Sequence, residues 1–230
     1  TMVTTVFTSL TNASPPPRRA AALLVGVSRF EHLNIEPLKG PLNDVSLLRQ
    51  TLLRQGFLDR DIITLSDLQT NDRHPTRANI LRTLKNLANA LNAKDRVVIY
   101  FSGHGAQVPQ NLAFAHRGYV EPDGLDEVFL TRDTRYWNEA TRTVEGAILD
   151  DEIGEHIARF TKKGVDVWAI FDTCHSGDLS RASTTLPRSE LADDGQTIWR
   201  GVHPVTLGVP AQAITSTTSK TSSTRGTRQA

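Results

Sequence analysis

The chain has 230 residues, enough for one well-filled domain, and its hydrophobic and charged contents of 38% and 22% are typical of a globular protein. A net charge of +1 excludes a strong general attraction to nucleic acid, and no apolar stretch is long enough to span a membrane. We therefore expect neither a nucleic-acid nor a membrane partner. The single cysteine excludes an internal disulfide, and a thiol that must stay reduced favours a cytoplasmic location.

The predicted elements alternate between strands and helices. After a polar N-terminal tail or linker at residues 1–19, apolar runs predict strands, and apolar residues spaced by three or four predict helices. The strands are expected at 20–27, 61–65, 97–101 and 165–171, and the helices at about 42–55, 76–92 and 151–163. This alternation predicts an α/β fold whose mostly parallel central sheet is flanked by helices on both faces.

Three regions are less regular. Residues 106–138 lack a long periodic run and predict a small hairpin excursion, and residues 202–209 favour one more short strand. Residues 211–230 are rich in Ser and Thr and indicate a flexible tail or processing linker. We therefore expect one main domain over residues 20–210 between two tails.

Two short motifs carry the chemistry. Residues 100–105 read YFSGHG and residues 171–177 read FDTCHSG, and each follows a predicted buried strand. Sites in open parallel sheets lie at the carboxyl ends of strands, so we expect His104 and Cys174 to converge. An imidazole can take the proton of a thiol and pass it to a leaving amine. An isolated thiol or imidazole is more often an inert packing group, but the shared strand-end position favours a nucleophile and its base.

Glycines that flank His104 and a glycine that follows Cys174 let backbone amides approach a substrate carbonyl. The amides of Gly105 and Cys174 are the predicted donors to a developing oxyanion.

The two motifs resemble those of caspase-type peptidases, specifically the metacaspases and the bacterial orthocaspases. Three further segments agree in order and spacing: ALLVGV at 22–27, LKGPLND at 38–44 and ILDDEI at 148–153. The resemblance implies a caspase-hemoglobinase fold in which residues 20–210 are the large-subunit catalytic domain and the small-subunit part is incomplete. It implies a cysteine endopeptidase, made as a zymogen, with Cys174 as nucleophile and His104 as base. The alternatives are a catalytically silent interaction module and a clostripain-like or separase-like peptidase with another pocket.

Metacaspases cut after arginine or lysine, so the resemblance implies protein or peptide substrates and an acidic primary pocket. Asp172 lies two residues before Cys174 and shares its face of an extended chain. The resemblance adds Asp44, and Ser102 is a candidate neutral acceptor. Two carboxylates would suit the fork of guanidinium donors. The alternatives are a helix cap or surface charge for Asp44 and a turn acceptor for Asp172.

No cofactor is required for the thiol chemistry, but many metacaspases need calcium. The matching positions are Asp126, Asp150 and Asp151, whose oxygens suit a hard cation. As an alternative, Asp150 or Asp151 would cap the third helix. Arg181 stands where calcium-dependent relatives carry a fourth aspartate, which Asp178 would compensate only in part.

The caspase fold continues into a small-subunit segment, which is therefore an expected partner of this domain. A protease that prefers basic residues can also process itself in loops after the nucleophile. The candidate sites of self-cleavage are Arg181, Arg188, Arg200, Lys220, Arg225 and Arg228.

Overall fold

The computed structural model describes residues 18–111, 118, 124–173, 190–191, 197–198 and 201–214. Its strands, numbered in chain order, are β1 (Ala20–Gly26), β2 (Ile62–Ser66), β3 (Arg96–Ser102), β4 (Gly105–Pro109), β5 (Leu125–Phe129), β6 (Trp137–Asn138), β7 (Thr143–Val144), β8 (Ile148–Leu149), β9 (Asp166–Asp172), β10 (Glu190–Leu191) and β11 (Thr197–Ile198). The helices are α1 (Gly40–Arg54), α2 (Arg77–Ala90) and α3 (Asp150–Lys162), with short 3-10 helices at Asp59–Asp61, Asn71–Arg73 and Pro204–Leu207.

A parallel sheet in the order β2-β1-β3-β9 forms the centre of the molecule. Helix α1 contacts β1 and β3 on one face, while α2 and α3 pack on the other and against each other. The predicted parallel sheet with helices on both faces is confirmed. Within the described residues, no helix is long and apolar enough to cross a membrane.

Strand β1 shows why the sequence folds this way. It lies between two strands and under helices on both faces, so its apolar side chains are buried whichever face they point to. Leu23 and Val25 belong to the cluster on the α2 and α3 face, with Phe160 of α3. Leu24 belongs to the cluster on the α1 face, with Val45 of α1.

A second, antiparallel sheet follows directly from β3. Its order is β4-β5-β8, and the hairpin of β6 and β7 lies in the connection before β8. The predicted hairpin excursion is therefore confirmed. An apolar cluster under this sheet includes Val108, Val128 and Leu130, and Ala213 and Ile214 at the end of the described chain pack against it.

The prediction of a strand at residues 202–209 was wrong. Gly201 makes only an isolated parallel bridge with Gly105, and a 3-10 helix over Pro204–Leu207 follows. Proline has no N–H to give a strand ladder, and its fixed φ suits the first turn of a helix. The side chain of His203 accepts a hydrogen bond from Val205 N–H, and Gly208 ends the turn at a φ of +82°. These local signals outweigh the apolar alternation.

Candidate active site

The carboxyl ends of three strands lie in one row. Gly26 of β1 pairs with Ser102 of β3, and Ser102 pairs with Asp172 of β9. His104 follows Ser102 by two residues, and Cys174 follows Asp172 by two residues. Cys174 itself lies outside the described residues, which on this strand continue to Thr173. The strand register therefore places the starting points of the two motif segments next to each other at the same edge of the sheet.

His104 lies at the junction between the parallel and the antiparallel sheet. It is only 2% exposed, and its carbonyl oxygen accepts a hydrogen bond of 3.0 Å from Leu130 N–H. The ring of Phe30 stacks on the imidazole, with centroids 5.8 Å apart and ring planes inclined by 30°. Gly103 lets β3 pass close to its neighbours, because a Cβ there would lie 3.2 Å from the Phe129 ring. The backbone at His104 is thus fixed from both sides.

Gly105, a predicted oxyanion donor, is the first residue of β4. It pairs with Phe129 of β5, and its carbonyl accepts a hydrogen bond of 2.9 Å from Val202 N–H. These contacts hold the backbone next to His104, while the oxyanion role stays a prediction.

The three residues of the predicted acidic pocket lie on one face of the sheet. Ser102 Oγ donates a hydrogen bond of 3.1 Å to Asp44 Oδ2 of α1. Tyr100 OH donates one of 3.4 Å to Asp172 Oδ2. Tyr100 and Ser102 alternate with Phe101 along β3, so both point to the α1 side. The structure therefore brings Asp44, Ser102 and Asp172 to the same corner of the molecule.

The helix-cap alternative for Asp44 does not hold, because the residue before α1 is Lys39 and Asp44 lies in the second turn. Asp172 accepts a hydrogen bond from a side chain of the neighbouring strand. Both carboxylates are half-buried beside β3.

A second group of acidic residues lies on β5 and at the start of α3. Asp126 of β5 is fully buried; its Oδ2 accepts a hydrogen bond of 2.6 Å from Asn111 N–H, whereas Oδ1 has no hydrogen-bond partner. Burial raises the pKa of Asp126 to about 6, and the charges of Asp151, Asp150 and Glu127 add to this rise. Burial also raises the pKa values of Asp150 and Asp151.

These acidic residues do not form a complete metal-binding site among the described residues. Asp151 Oδ2 is a second buried oxygen without a hydrogen-bond partner, which suits a hard cation. Yet within the described ranges, no three His, Cys, Asp or Glu side chains are grouped closely enough to hold a metal. Neither Asp150 nor Asp151 is the N-cap of α3: that position belongs to Leu149, whose N–H donates to Glu152 Oε2. Arg181 and Asp178 lie outside the described residues.

Two residues of this site, Tyr100 and Phe30, had no predicted role. Tyr100 belongs to the YFSGHG motif, and strand alternation alone places it on the face of Ser102, so that signal was present. Phe30 lies four residues after the end of β1 in an irregular segment. No periodicity points to it, because its contact with His104 spans more than seventy positions of the chain.

Residues 20–182 match the family model described as the metacaspase, peptidase C14 domain. The match covers most of the chain and includes His104, Cys174 and all three pocket residues. The chain belongs to the metacaspase family. The predicted resemblance to the metacaspases is therefore confirmed.

Curated metacaspases resemble the chain over the same region. It is 35% identical to a metacaspase-1 of Lodderomyces elongisporus over 162 residues, which are 70% of this chain and 34% of that relative. It is 33% identical to a metacaspase-1 of Candida albicans over 162 residues, with the same two shares. For a metacaspase-1 of Emericella nidulans the identity is 36% over 159 residues, 68% of this chain and 35% of the relative. The metacaspase chain thus spans about a third of the length of these relatives.

A solved structure supports the fold. The crystal structure of a Geobacter sulfurreducens protein superposes with a TM-score of 0.58 at 22% identity, and the similarity covers 92% of this chain and 67% of that one. At this identity the likeness concerns the fold alone. Together with the family match, it confirms the predicted caspase-hemoglobinase fold class.

Proposed function

We propose that this metacaspase domain hydrolyses peptide bonds after arginine or lysine through a dyad of Cys174 and His104. The observation that carries the proposal is the pairing of Ser102 with Asp172, because each catalytic residue follows one member of this pair by two positions. Both residues stand in family motifs within the matched region. A thiol in this position, next to an imidazole, is activated by loss of its proton.

In the proposed reaction, His104 takes the proton of the Cys174 thiol, and the thiolate attacks the scissile carbonyl carbon. The carbonyl electrons move to oxygen, where the amides of Gly105 and Cys174 donate to the oxyanion. When the carbonyl re-forms, the C–N bond breaks and the leaving amine takes the proton from His104, which leaves a thioester. His104 then takes a proton from water, the hydroxide attacks the thioester, and the acid product and the thiolate are released.

The specificity proposal depends on the charge of the pocket. Asp44 and Asp172 supply two carboxylates on the α1 side of the sheet, and the hydroxyl groups of Ser102 and Tyr100 hold them in place. A guanidinium or ammonium group of the residue before the cut would pair with these carboxylates. The side chain of an aspartate there would be repelled by them. Asp172 ends the strand that leads to Cys174, and Asp44 is hydrogen-bonded to Ser102 on the neighbouring strand, which suits recognition of the residue just before the cut.

We further propose that calcium activates the domain through Asp126 and Asp151, with Asp150 beside them. The two buried carboxylate oxygens without donors and the raised pKa values suit the binding of a hard cation, which would neutralise this group of charges. The described residues do not complete a coordination shell, so further ligands would come from elsewhere. A comparison of activity after chelation and after added calcium tests this role, with magnesium as the control cation.

A small-subunit segment is the proposed partner of β9. This strand lies at the edge of the described sheet, and the side chains of Trp168, Ile170 and Phe171 are 66%, 41% and 45% exposed. A cavity of about 240 Å³ lies between Phe171 and Ile157 of α3, next to Thr173. An edge strand with large exposed apolar residues is a template for a further strand. A polypeptide segment that pairs with β9 would cover both.

Self-processing is proposed at one or more of the six basic residues after Cys174. All of these residues, from Arg181 to Arg228, lie outside the described residues. These residues are candidate cleavage sites because the domain is proposed to prefer basic residues before the cut. Mass spectrometry of the chain and of its Cys174→Ala variant tests this proposal, because only cleavages that require the thiol count as self-processing.

The experiment that tests the activity is a panel of fluorogenic peptides that differ only in the residue before the cut. We expect hydrolysis after Arg and Lys, none after Asp, and none by Cys174→Ala. Hydrolysis after Asp would contradict the pocket assignment. No hydrolysis of any peptide, with a thiol that an arginyl chloromethyl ketone does not label, would favour the silent interaction module.

A further inference from the structure

The contact between Phe30 and His104 is more specific than a chance packing contact. The two rings stack with centroids 5.8 Å apart and planes inclined by 30°. This geometry is within the range in which aromatic pairs attract each other beyond the effect of burial. Phe30 also packs against both large apolar clusters, the one beneath the parallel sheet and the one beneath the antiparallel sheet. It therefore lies at the same junction as His104.

The segment around Phe30 is anchored on both sides. Before it, the N–H groups of Ser28 and Arg29 donate to Asp67 Oδ2 at 2.6 and 3.1 Å. After it, Glu31 N–H donates to the Arg132 carbonyl at 2.9 Å, and Arg132 Nε donates back to Glu31 Oε1 at 2.8 Å.

Arg132 connects these two anchors, because its second donor binds Asp67 Oδ1 at 3.0 Å. The charged pairs raise the pKa of the Arg132 guanidinium, so it stays ionised. The loop that carries Phe30 is thus fixed by a connected network of backbone and side-chain bonds. The phenyl ring on this loop is therefore held in a fixed position, and the imidazole packs against it.

We propose that Phe30 is a positioning residue that holds the ring of His104 in the orientation required to pair with Cys174. The outer torsion of a histidine side chain is broad and soft, so the ring needs a neighbour that restricts its plane. The face of a phenyl ring also attracts a cation, which favours the imidazolium that pairs with a thiolate. This inference rests on the proposed function, because it assigns Phe30 a role in the same dyad.

The test uses the reactivity of the one thiol in the chain, which needs no substrate. Cys174 is the only cysteine, so the rate of alkylation by iodoacetamide near neutral pH reports its thiolate alone. Phe30→Leu removes the ring, and Phe30→Tyr keeps it. Phe57→Leu is the control, because Phe57 is a buried phenylalanine in the α1-side cluster, which is neither of the two clusters that Phe30 contacts. Phe30→Met, with a flexible apolar chain, is a second ring-free variant in case the leucine variant does not fold.

We expect the ring-free variants to alkylate about 5- to 10-fold more slowly, the size of one aromatic pair. Their kcat for an arginyl peptide should fall similarly, with KM nearly unchanged. Phe30→Tyr and Phe57→Leu should keep the wild-type rate. The inference would be overturned if the ring-free variants were alkylated at the wild-type rate, or if Phe57→Leu lowered the alkylation rate as much as they do. His104→Ala separates the two proposals. If it is alkylated as fast as the wild type, the proposed dyad fails. If His104→Ala is slow but the ring-free Phe30 variants are as fast as the wild type, the dyad stands and the role of Phe30 fails.

Discussion

Ser102 Oγ donates a hydrogen bond to Asp44 Oδ2 across 3.1 Å and so connects the last residue of β3 to the second turn of α1. The partner strand places Asp172 directly beside Ser102 in the register. One hydroxyl therefore lies between the helix and the strand that supply the two carboxylates of the proposed pocket. Asp44 is hydrogen-bonded to a residue that belongs to the histidine motif, so the proposed pocket and His104 share β3 as their support.

Substitution of either pocket carboxylate should weaken the binding of basic substrates. We expect Asp44→Asn and Asp172→Asn to raise KM for an arginyl peptide about 10- to 100-fold, the worth of one charge-assisted hydrogen bond. Asp166→Asn is the matched control, because Asp166 is exposed at the opposite end of the same strand as Asp172. Steady-state kinetics with the three variants checks this. Equal effects at Asp166 and Asp172 would mean that overall charge, not a pocket, attracts the substrate.

Gly103 should not tolerate a side chain. A Cβ there would lie 3.2 Å from the Phe129 ring and 3.3 Å from Val27 Cβ, so Gly103→Ala should lower the free energy of unfolding by about 1–3 kcal/mol. Activity should fall further than stability, since His104 is the next residue. Gly154→Ala is the control: a Cβ there meets nothing within 4 Å in the middle of α3, and we expect a gain of about 0.5–1 kcal/mol. Chemical denaturation of both variants measures the difference, and a neutral Gly103→Ala would show that the junction is not tightly packed.

The buried carboxyl of Asp126 should make stability fall as pH rises. Its pKa is raised from 3.8 to about 6 in the folded chain, so between these values the folded state holds a proton that the unfolded state has lost. The free energy of unfolding should therefore decrease from about pH 4 to pH 6, by at most about 3 kcal/mol, at 1.36 kcal/mol for each pKa unit. Asp150 and Asp151 shift in the same direction and add to the slope.

Asp126→Asn should remove part of this slope and stabilise the chain at neutral pH, measured by urea unfolding with a chelator present. The Asn side chain can still accept the bond from Asn111 N–H. Asp95→Asn is the contrasting variant: Asp95 is buried too, but it accepts hydrogen bonds from the N–H groups of Arg19 and Asn92, so we expect it to lose stability. A destabilised Asp126→Asn under chelation would show that the ionised carboxylate is required by the fold.

The regular part of the fold was predictable because its signals are local and strong. The run of apolar residues from Ala20 to Gly26 indicates a strand that is covered on both faces, and its observed bounds differ from the prediction by one residue. The amphipathic helices begin and end within about two residues of the expected positions. The proximity of Asp44, Ser102 and Asp172 was predictable from the family motifs together with the alternation of a strand.

Long-range pairing was harder to predict. β8 consists of only Ile148 and Leu149, and it is a strand because Val128 and Phe129 lie opposite it. The residues 202–209 show an apolar pattern that a proline and a glycine override. The stack of Phe30 on His104 joins an irregular loop to a strand end, and such a contact leaves no pattern in the sequence. For β8 and for the Phe30 stack, tertiary contacts decide the outcome, whereas at residues 202–209 the local preferences of proline and glycine decide it.

We propose above all that the imidazole of His104 activates the thiol of Cys174 beside an acidic pocket. The most direct measurement is the rate at which an arginyl chloromethyl ketone modifies the chain, with the modified residue located by peptide mass spectrometry. We predict modification at Cys174 alone, slowed about 100-fold or more in His104→Ala, as expected when a nucleophile loses its base. Modification of His104→Ala at the wild-type rate, or no modification of Cys174 in the wild-type chain, would contradict it.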